Sequence, residues 1–459
     1  MIDTIDNAIS AVNSVVWGWP MLALLLGTHI FLTFRLRFIQ KYVFKALKLA
    51  VKKDKNAPGD VSPFGALSTA LAATLGTGNI VGVAMAIYLG GPGAIFWLWI
   101  TGLFGIATKY SEGLLAVKYR VKTSNGTMLG GPMYALERGL KMKWLGVLFA
   151  IFCSLAAFGI GNMVQVNAIS MMMENQFNVN THVTGIILFV ITFTVVVGGI
   201  KWIAKFSAKI VPTYALVFIL MNMIVIGINF AYVPEALSLI VKSAFTPQAA
   251  GGGFVASTLL MAMRYGVARG LFSNEAGLGS SPIAAAAAIT RNPVRQALVS
   301  MSAVFLDTIV MCFLTGLMLV TTILKNPMGF EGLAGAQFVS FAYNQIPIVG
   351  PIILTVGIFL FAWTTVLGWC FYAERTMEYL FGKKCIMPFR VVFCIVAYIG
   401  AVIPLAVVWN AADMFNAFMA IPNLIALLLL SGVIVNETKK YLWSNNLDAI
   451  STDELPTIK

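Results

Sequence analysis

Leu75-Gly76-Thr77-Gly78-Asn79-Ile80-Val81-Gly82 interrupts an apolar stretch that is otherwise long enough to cross a bilayer. Glycine costs a helix interior about 1 kcal/mol, and Thr and Asn side chains are costly in hydrocarbon. A spanning helix with this sequence is expected to break here. Irregular backbone at membrane depth survives only where it is buried in protein or lines a cavity. A second stretch of the same character, Gly270-Leu271-Phe272-Ser273-Asn274-Glu275-Ala276-Gly277-Leu278-Gly279-Ser280-Ser281, lies in the other half of the chain. A lone small-xxx-small pattern is most simply a packing seam. Glycines joined by Asn and hydroxyl groups in both halves point instead to an ion and substrate site.

The rest of the chain reads as membrane protein. Of its 459 residues 59% are hydrophobic and 11% charged, with mean hydropathy +0.87, whereas soluble domains carry roughly 25% charged residues. A soluble enzyme and a nucleic-acid binder are excluded. With about 20 apolar residues per span, eleven transmembrane helices are expected, near 15–35, 64–88, 93–117, 145–173, 183–200, 210–232, 254–288, 297–323, 347–373, 387–407 and 413–436. Lys and Arg follow the odd-numbered spans: one side collects 27 of the 31 basic residues. By the positive-inside rule the N-terminus lies outside and the C-terminus in the cytoplasm of a multi-pass plasma-membrane protein. The net charge of +13 then reflects topology and calls for no polyanion.

The two breaks fall in spans two and seven, each followed by four more spans. That is the layout of two five-helix repeats, inverted in topology and each opening with a discontinuous helix. The expected fold is an all-α polytopic membrane protein with a ten-helix 5+5 core. Its segments are 1–60 (extra helix and cytoplasmic amphipathic helix), 61–240 (first repeat), 241–436 (second repeat) and 437–459 (cytoplasmic tail). The segment Phe38–Val51 alternates Lys with apolar residues at helical spacing and reads as an interfacial helix. Glu235–Gly253 is expected to hold a short outer helix, and Ser444–Lys459 to be disordered. The five cysteines are scattered core thiols, and two histidines make a zinc or histidine-based catalytic site improbable. Asp3 and Asp6 replace the basic start of a signal peptide.

Gly76–Ala84 (GTGNIVGVA), Leu89–Trp97 (LGGPGAIFW) and Gly270–Pro282 (GLFSNEAGLGSSP) resemble the alanine or glycine:cation symporter family. The resemblance implies the leucine-transporter fold and sodium-coupled import of small neutral amino acids such as alanine and glycine. Free N–H groups at Thr77, Gly78 and Asn79 suit a substrate carboxylate, and carbonyls around Gly270–Ser273 suit its ammonium group. Gln165 can meet either end of the zwitterion. The resemblance places Phe272 and Trp369 on the pocket wall, where two large rings favour glycine and alanine over leucine. It also implies a Na+ site at the hydroxyls of Thr364 and Thr365 with the carbonyls of Ala72, Leu75 and Phe361. Threonine back-bonding within the helix is the plainer use of those hydroxyls. No carboxylate joins that group, which favours sodium over a proton. Glu112, Arg264, Arg269, Glu275, Asp307 and Glu374 are left as unassigned intramembrane charges, and Asp413 as a candidate for an outer gate. The expected partners are the amino acid and the lipid bilayer, with no nucleic acid and a monomeric state. The alternatives are a proton-coupled amino-acid transporter and a membrane-embedded enzyme, although no GxSxG, HxxxD or HExxH motif is present.

Overall fold

A computed structural model describes residues 2–52, 54, 57–247, 257–330, 333, 335–403 and 406–458. Among these the chain is mainly helical. Six helices are long and apolar enough to cross a membrane: Lys143–Phe177, Gly199–Ile228, Pro293–Lys325, Val349–Phe381, Lys383–Val402 and Trp409–Leu429. Two bent pairs pass the same test, Ile9–Val16 with Trp19–Arg35 at 43° and Pro63–Thr74 with Gly78–Gly90 at 52°, and Thr181–Val197 is a shorter apolar helix. The expected spans near 93–117 and 254–288 coincide with helices that are interrupted or carry charge. Gly93–Lys118 contains Lys109 and Glu112, and the second consists of Leu259–Asn274 and Pro282–Ala286. Residues 254–256 of that expected span, and 248–253 of the outer loop, lie outside the described residues; the loop's short helix is Val233–Ser243.

Capping residues in the sequence fix where the broken helices start. Ser62 accepts from Gly65 N with Pro63 in the first turn, and Thr258 accepts from Met261 N, the usual N-cap arrangement. The first helix stops at Thr74, as the glycines demand. The second runs further than expected. Leu271 O still accepts from Glu275 N, the helix persists through Asn274, and the break begins at Glu275. The expectation of free carbonyls around Gly270–Ser273 is corrected for Gly270 and Leu271, which stay within the helix. Phe272 O and Ser273 O lose their helical donors, since Ala276 N donates to Asn274 Oδ1 and Gly277 N to Glu112. Glu275, Gly277 and Gly279 all adopt positive φ (54°, 96° and 82°), a conformation a non-glycine residue rarely takes. Glu275 is held there by Ser280 Oγ, which donates to its carboxylate at 2.7 Å.

Small residues let the helices around the breaks approach closely. A Cβ on Gly266 would meet Ala94 O at 2.4 Å, and one on Gly368 would meet Ala73 Cβ at 2.7 Å. The second contact seats Val349–Phe381 against the first broken helix. The N-terminal pair braces the other side of the core. His29 Nδ1 bonds Thr108 Oγ1 at 2.7 Å, Asn13 Nδ2 donates to Asn410 O at 2.7 Å, and Trp17 Nε1 donates to Asp413 O at 3.1 Å. The segment Phe38–Val51 forms a short 3-10 turn and the helix Val43–Ala50. Val43, Ala46 and Ala50 are buried while Lys45 and Lys48 are exposed.

The tail corrects the expectation of disorder. Residues Val121–Thr123 and Met128–Leu129 form a hairpin, and Thr457–Ile458 adds to its open edge in parallel register (Lys122↔Thr457). Unpaired edge groups of a strand readily take up a further chain segment; here Lys122 N donates to Pro456 O and Ser124 N to Ile458 O. Lys118 Nζ lies 2.7 Å from both Glu437 and Asp453. Burial pushes the Asp453 carboxyl up, but hydrogen bonds from Lys118 and Ser451 outweigh it and hold it below the usual range. The start of the first broken helix and the end of the second are tied nearby. Val61 N donates to Ala287 O, Ile289 N donates to Val61 O, and Arg120 donates to Pro58 O, Ala286 O and Ala288 O.

Candidate functional site

The break at Leu75–Thr77 brings several groups to one place because the helix ends there and its last carbonyls lose their helical donors. Thr365 Oγ1 lies 3.0 Å from Ala72 O, 3.4 Å from Leu75 O and 2.9 Å from Phe361 O. Thr364 Oγ1 also donates to Phe361 O, at 3.0 Å. Back-bonding is therefore present for both threonines. One hydroxyl proton cannot serve three acceptors, however, so carbonyl oxygens from two helices converge with more acceptor than donor capacity. Such a cluster fits a hard cation; four of the five expected oxygens meet at Thr365, while Thr364 Oγ1 reaches the group only through Phe361 O.

Gly76 separates this cluster from Gln165. A Cβ there would meet Thr365 Oγ1 at 2.5 Å and Gln165 Oε1 at 3.1 Å. Gln165 Oε1 accepts from both Thr77 N (3.2 Å) and Thr77 Oγ1 (3.1 Å), while Gln165 Nε2 donates to Ile160 O at 3.0 Å. The amide oxygen thus engages the donors that were expected to meet a carboxylate. Gly78 allows the other break to come close, since a Cβ there would meet Phe272 Cδ1 at 3.0 Å and Ser273 Cα at 3.3 Å.

Asn79 joins the two broken helices. Its Oδ1 accepts from Gly76 N at 3.2 Å, and its Nδ2 donates to Ser273 Oγ at 3.0 Å and Asp307 Oδ1 at 2.7 Å. Ser273 Oγ and Thr308 Oγ1 both donate to Asp307 Oδ2, at 2.9 and 2.7 Å. A carboxylate therefore belongs to this site, on the Asn79 side and apart from the threonine pair. The sequence reading left it unassigned. Its one signal was a lone acid in the apolar run Phe305–Cys312.

Phe272 stacks on Trp409 with ring centroids 5.6 Å apart, and Trp409 is an aromatic the sequence reading missed. Arg269 lies over both rings, 5.6 and 5.7 Å from their centroids, and faces Asp413 at 3.7 Å. Trp369 is brought elsewhere in the same region. It is buried, packs edge-on to Tyr372, and lies so close to Gly161 that a Cβ there would meet Trp369 Cβ at 2.3 Å. Gly270 sits against the helix Gly93–Lys118, 3.3 Å from Leu98 O measured from a built Cβ. Below the second break, Lys109 Nζ caps Asn274 O at 2.7 Å. Glu112 Oε1 accepts from Gly277 N (3.0 Å), Gly279 N (3.0 Å) and Asn423 Nδ2 (2.7 Å).

Residues 2–453 match the family model described as the sodium:alanine symporter family. The chain is 51% identical over 442 residues to the sodium/alanine symporter AgcS of Methanococcus maripaludis, covering 95% of this chain and 97% of that one. It is 34% identical over 439 residues to the amino-acid carrier protein AlsT of Bacillus subtilis, covering 95% and 92%. Among solved structures, MhsT in complex with L-phenylalanine aligns with a TM-score of 0.60 at 14% identity, over 86% of this chain and 96% of that one. That likeness establishes the leucine-transporter fold.

Proposed function

The chain belongs to the sodium:alanine symporter family, and on that premise we propose that it imports small neutral amino acids, alanine and glycine among them, by sodium-coupled alternating access. It is a multi-pass membrane transporter and not an enzyme. The observation that carries the reading is the convergence of Thr365 Oγ1 with three carbonyl oxygens, one glycine away from Gln165 and Thr77. In this reading Ala72, Leu75, Phe361, Thr364 and Thr365 hold Na+. Thr77, Gly78, Asn79 and Gln165 meet the amino-acid carboxylate, which displaces the Gln165 oxygen from Thr77. Gly270, Phe272 and Ser273 border the ammonium and side-chain end. The Arg269–Asp413 pair over Phe272 and Trp409 forms the outer gate.

Eleven spans are assigned, with the bent N-terminal pair outside a ten-span core. Residues 61–240 and 241–436 are the two inverted repeats, a layout supported by the contact of the two broken helices through Asn79 and Ser273. The N-terminus lies outside and the C-terminus inside, as the basic residues indicate, and the protein works as a monomer.

Uptake into proteoliposomes tests the coupling. A tenfold sodium gradient supplies about 1.4 kcal/mol and a 100 mV potential about 2.3 kcal/mol per charge. One sodium ion then supports roughly 500-fold accumulation of a neutral amino acid. Radiolabelled alanine uptake is expected to be saturable and to vanish when choline replaces sodium. Uptake that persists in choline and follows a pH gradient would favour the second reading, proton coupling, for which Asp307 beside Asn79 and Ser273 is the supporting observation.

Trp369 is proposed as the limit on substrate size, acting from its seat on Gly161. Trp369→Ala is expected to bind valine and leucine better and alanine more weakly. A competition assay across glycine, alanine, valine and leucine checks this, and an unchanged ranking in folded variant protein removes Trp369 from the pocket.

A further inference from the structure

Away from both breaks, the helix Gly199–Ile228 and the helix Val349–Phe381 flank a groove of about 670 Å³, lined by Trp202, Lys205, Phe206, Lys209, Ile210 and Leu360 among others. We propose that this groove is a binding site for an anionic glycerophospholipid, with the phosphate at Lys205 and Lys209 and one acyl chain laid along Phe206, Ile210 and Leu360.

Charge is the first support. Lys205 and Lys209 are one helical turn apart, so they share a face, and both are exposed. Among the described residues neither has a carboxylate within ion-pair distance. Two unpaired ammonium groups at the mouth of an otherwise apolar groove match a lipid with a net negative headgroup. A zwitterionic headgroup, whose phosphate carries its own ammonium, matches them poorly.

Depth is the second. At 1.5 Å rise per residue, Lys205 and Lys209 lie about 9 and 15 Å from the start of their helix. Their long stems can carry the charges back toward the interface while lying on apolar surface. Trp202, 52% exposed, stands at the end of the groove nearest the start of its helix, where indole rings favour the headgroup level. From there the lined stretch continues to Tyr214, whose hydroxyl donates to Ile353 O and closes the far end. The distance from Trp202 to Tyr214 is about 18 Å along the helix, enough for most of an acyl chain.

A lipid in this groove would touch both walls at once. Leu360 directly precedes Phe361, whose carbonyl accepts from Thr364 and Thr365. The bound lipid would therefore brace the two helices beside the threonine pair. The site itself stands on the groove and its lysines and does not depend on the coupling ion.

Native mass spectrometry of the purified full chain, titrated with dioleoylphosphatidylglycerol or dioleoylphosphatidylcholine, tests the proposal. Each lysine near an anionic headgroup should strengthen binding about fivefold. The wild type is expected to retain phosphatidylglycerol at least about twentyfold more tightly than phosphatidylcholine. Lys205→Gln with Lys209→Gln should abolish that preference, and Lys205→Arg with Lys209→Arg should keep it. Ile210→Trp, which fills the groove, should weaken both lipids. Equal retention of the two lipids by the wild type, or an undiminished preference in the glutamine variant, would overturn the proposal. So would loss of the preference in the arginine variant, whose charge is unchanged.

Discussion

Protein carrying Thr364→Ala and Thr365→Ala together should need at least about a hundredfold more sodium for half-maximal alanine uptake. The two hydroxyls are the only side-chain oxygens proposed for the ion, the rest being the carbonyls of Ala72, Leu75 and Phe361. An interaction with a charged group is worth about 1.5–3 kcal/mol, so losing two removes about 3–6 kcal/mol. Alanine is the better helix former, so Val349–Phe381 should keep its course. Because sodium and substrate binding are linked, alanine binding at fixed sodium should weaken as well. Sodium titrations of uptake, and of alanine binding to detergent-solubilised protein, measure both effects. An unchanged sodium requirement would move the ion to another site.

Glu112→Leu should be the most damaging single change to stability. One carboxylate oxygen of this buried residue accepts from Gly277 N, Gly279 N and Asn423 Nδ2, and the two backbone donors have no helical partner at the second break. A buried donor left unsatisfied costs about 1–3 kcal/mol. Asn423 Nδ2 keeps Gly277 O as an acceptor, so the two backbone donors make Leu cost about 2–6 kcal/mol in total. Glu112→Gln keeps an oxygen of the same reach and should recover most of the loss. Thermal unfolding in detergent separates the two variants. Equal midpoints for Leu and wild type would show that the break is held by something else.

The start of the first break was legible, because Gly76 and Thr77 oppose a helix through their own backbone and side-chain chemistry. The expected stretch ran on to Gly82, however, whereas the chain is helical again from Gly78. The second was legible only as a region. Its glycine at Gly270 pointed to an early break, but that glycine serves close packing against Leu98. The turn depends on Glu275 holding positive φ through Ser280, which composition does not announce. Asp307 looked like a stray charge because its partners Asn79 and Ser273 lie 228 and 34 residues away. Trp409 looked like ordinary membrane sequence, and its partner Phe272 lies on another helix. The docked tail was hidden for a different reason. A strand of two residues, Thr457–Ile458, carries no periodicity, and polar composition alone suggested disorder.

The contacts of Asn13 and Trp17 with Asn410 and Asp413 span 397 and 396 residues, which places a constraint on the order of assembly. Chains are made from the N-terminus onward, and contacts of large sequence separation form only after a costly closure. The first helices to enter the membrane must therefore wait beside an incomplete bundle until the last long helix arrives. Asp413 reaches Arg269 only from that helix. The end of the molecule that holds the Arg269–Asp413 pair is thus the last part to be completed during biogenesis, and a nascent chain stalled before Asn410 would leave that end open.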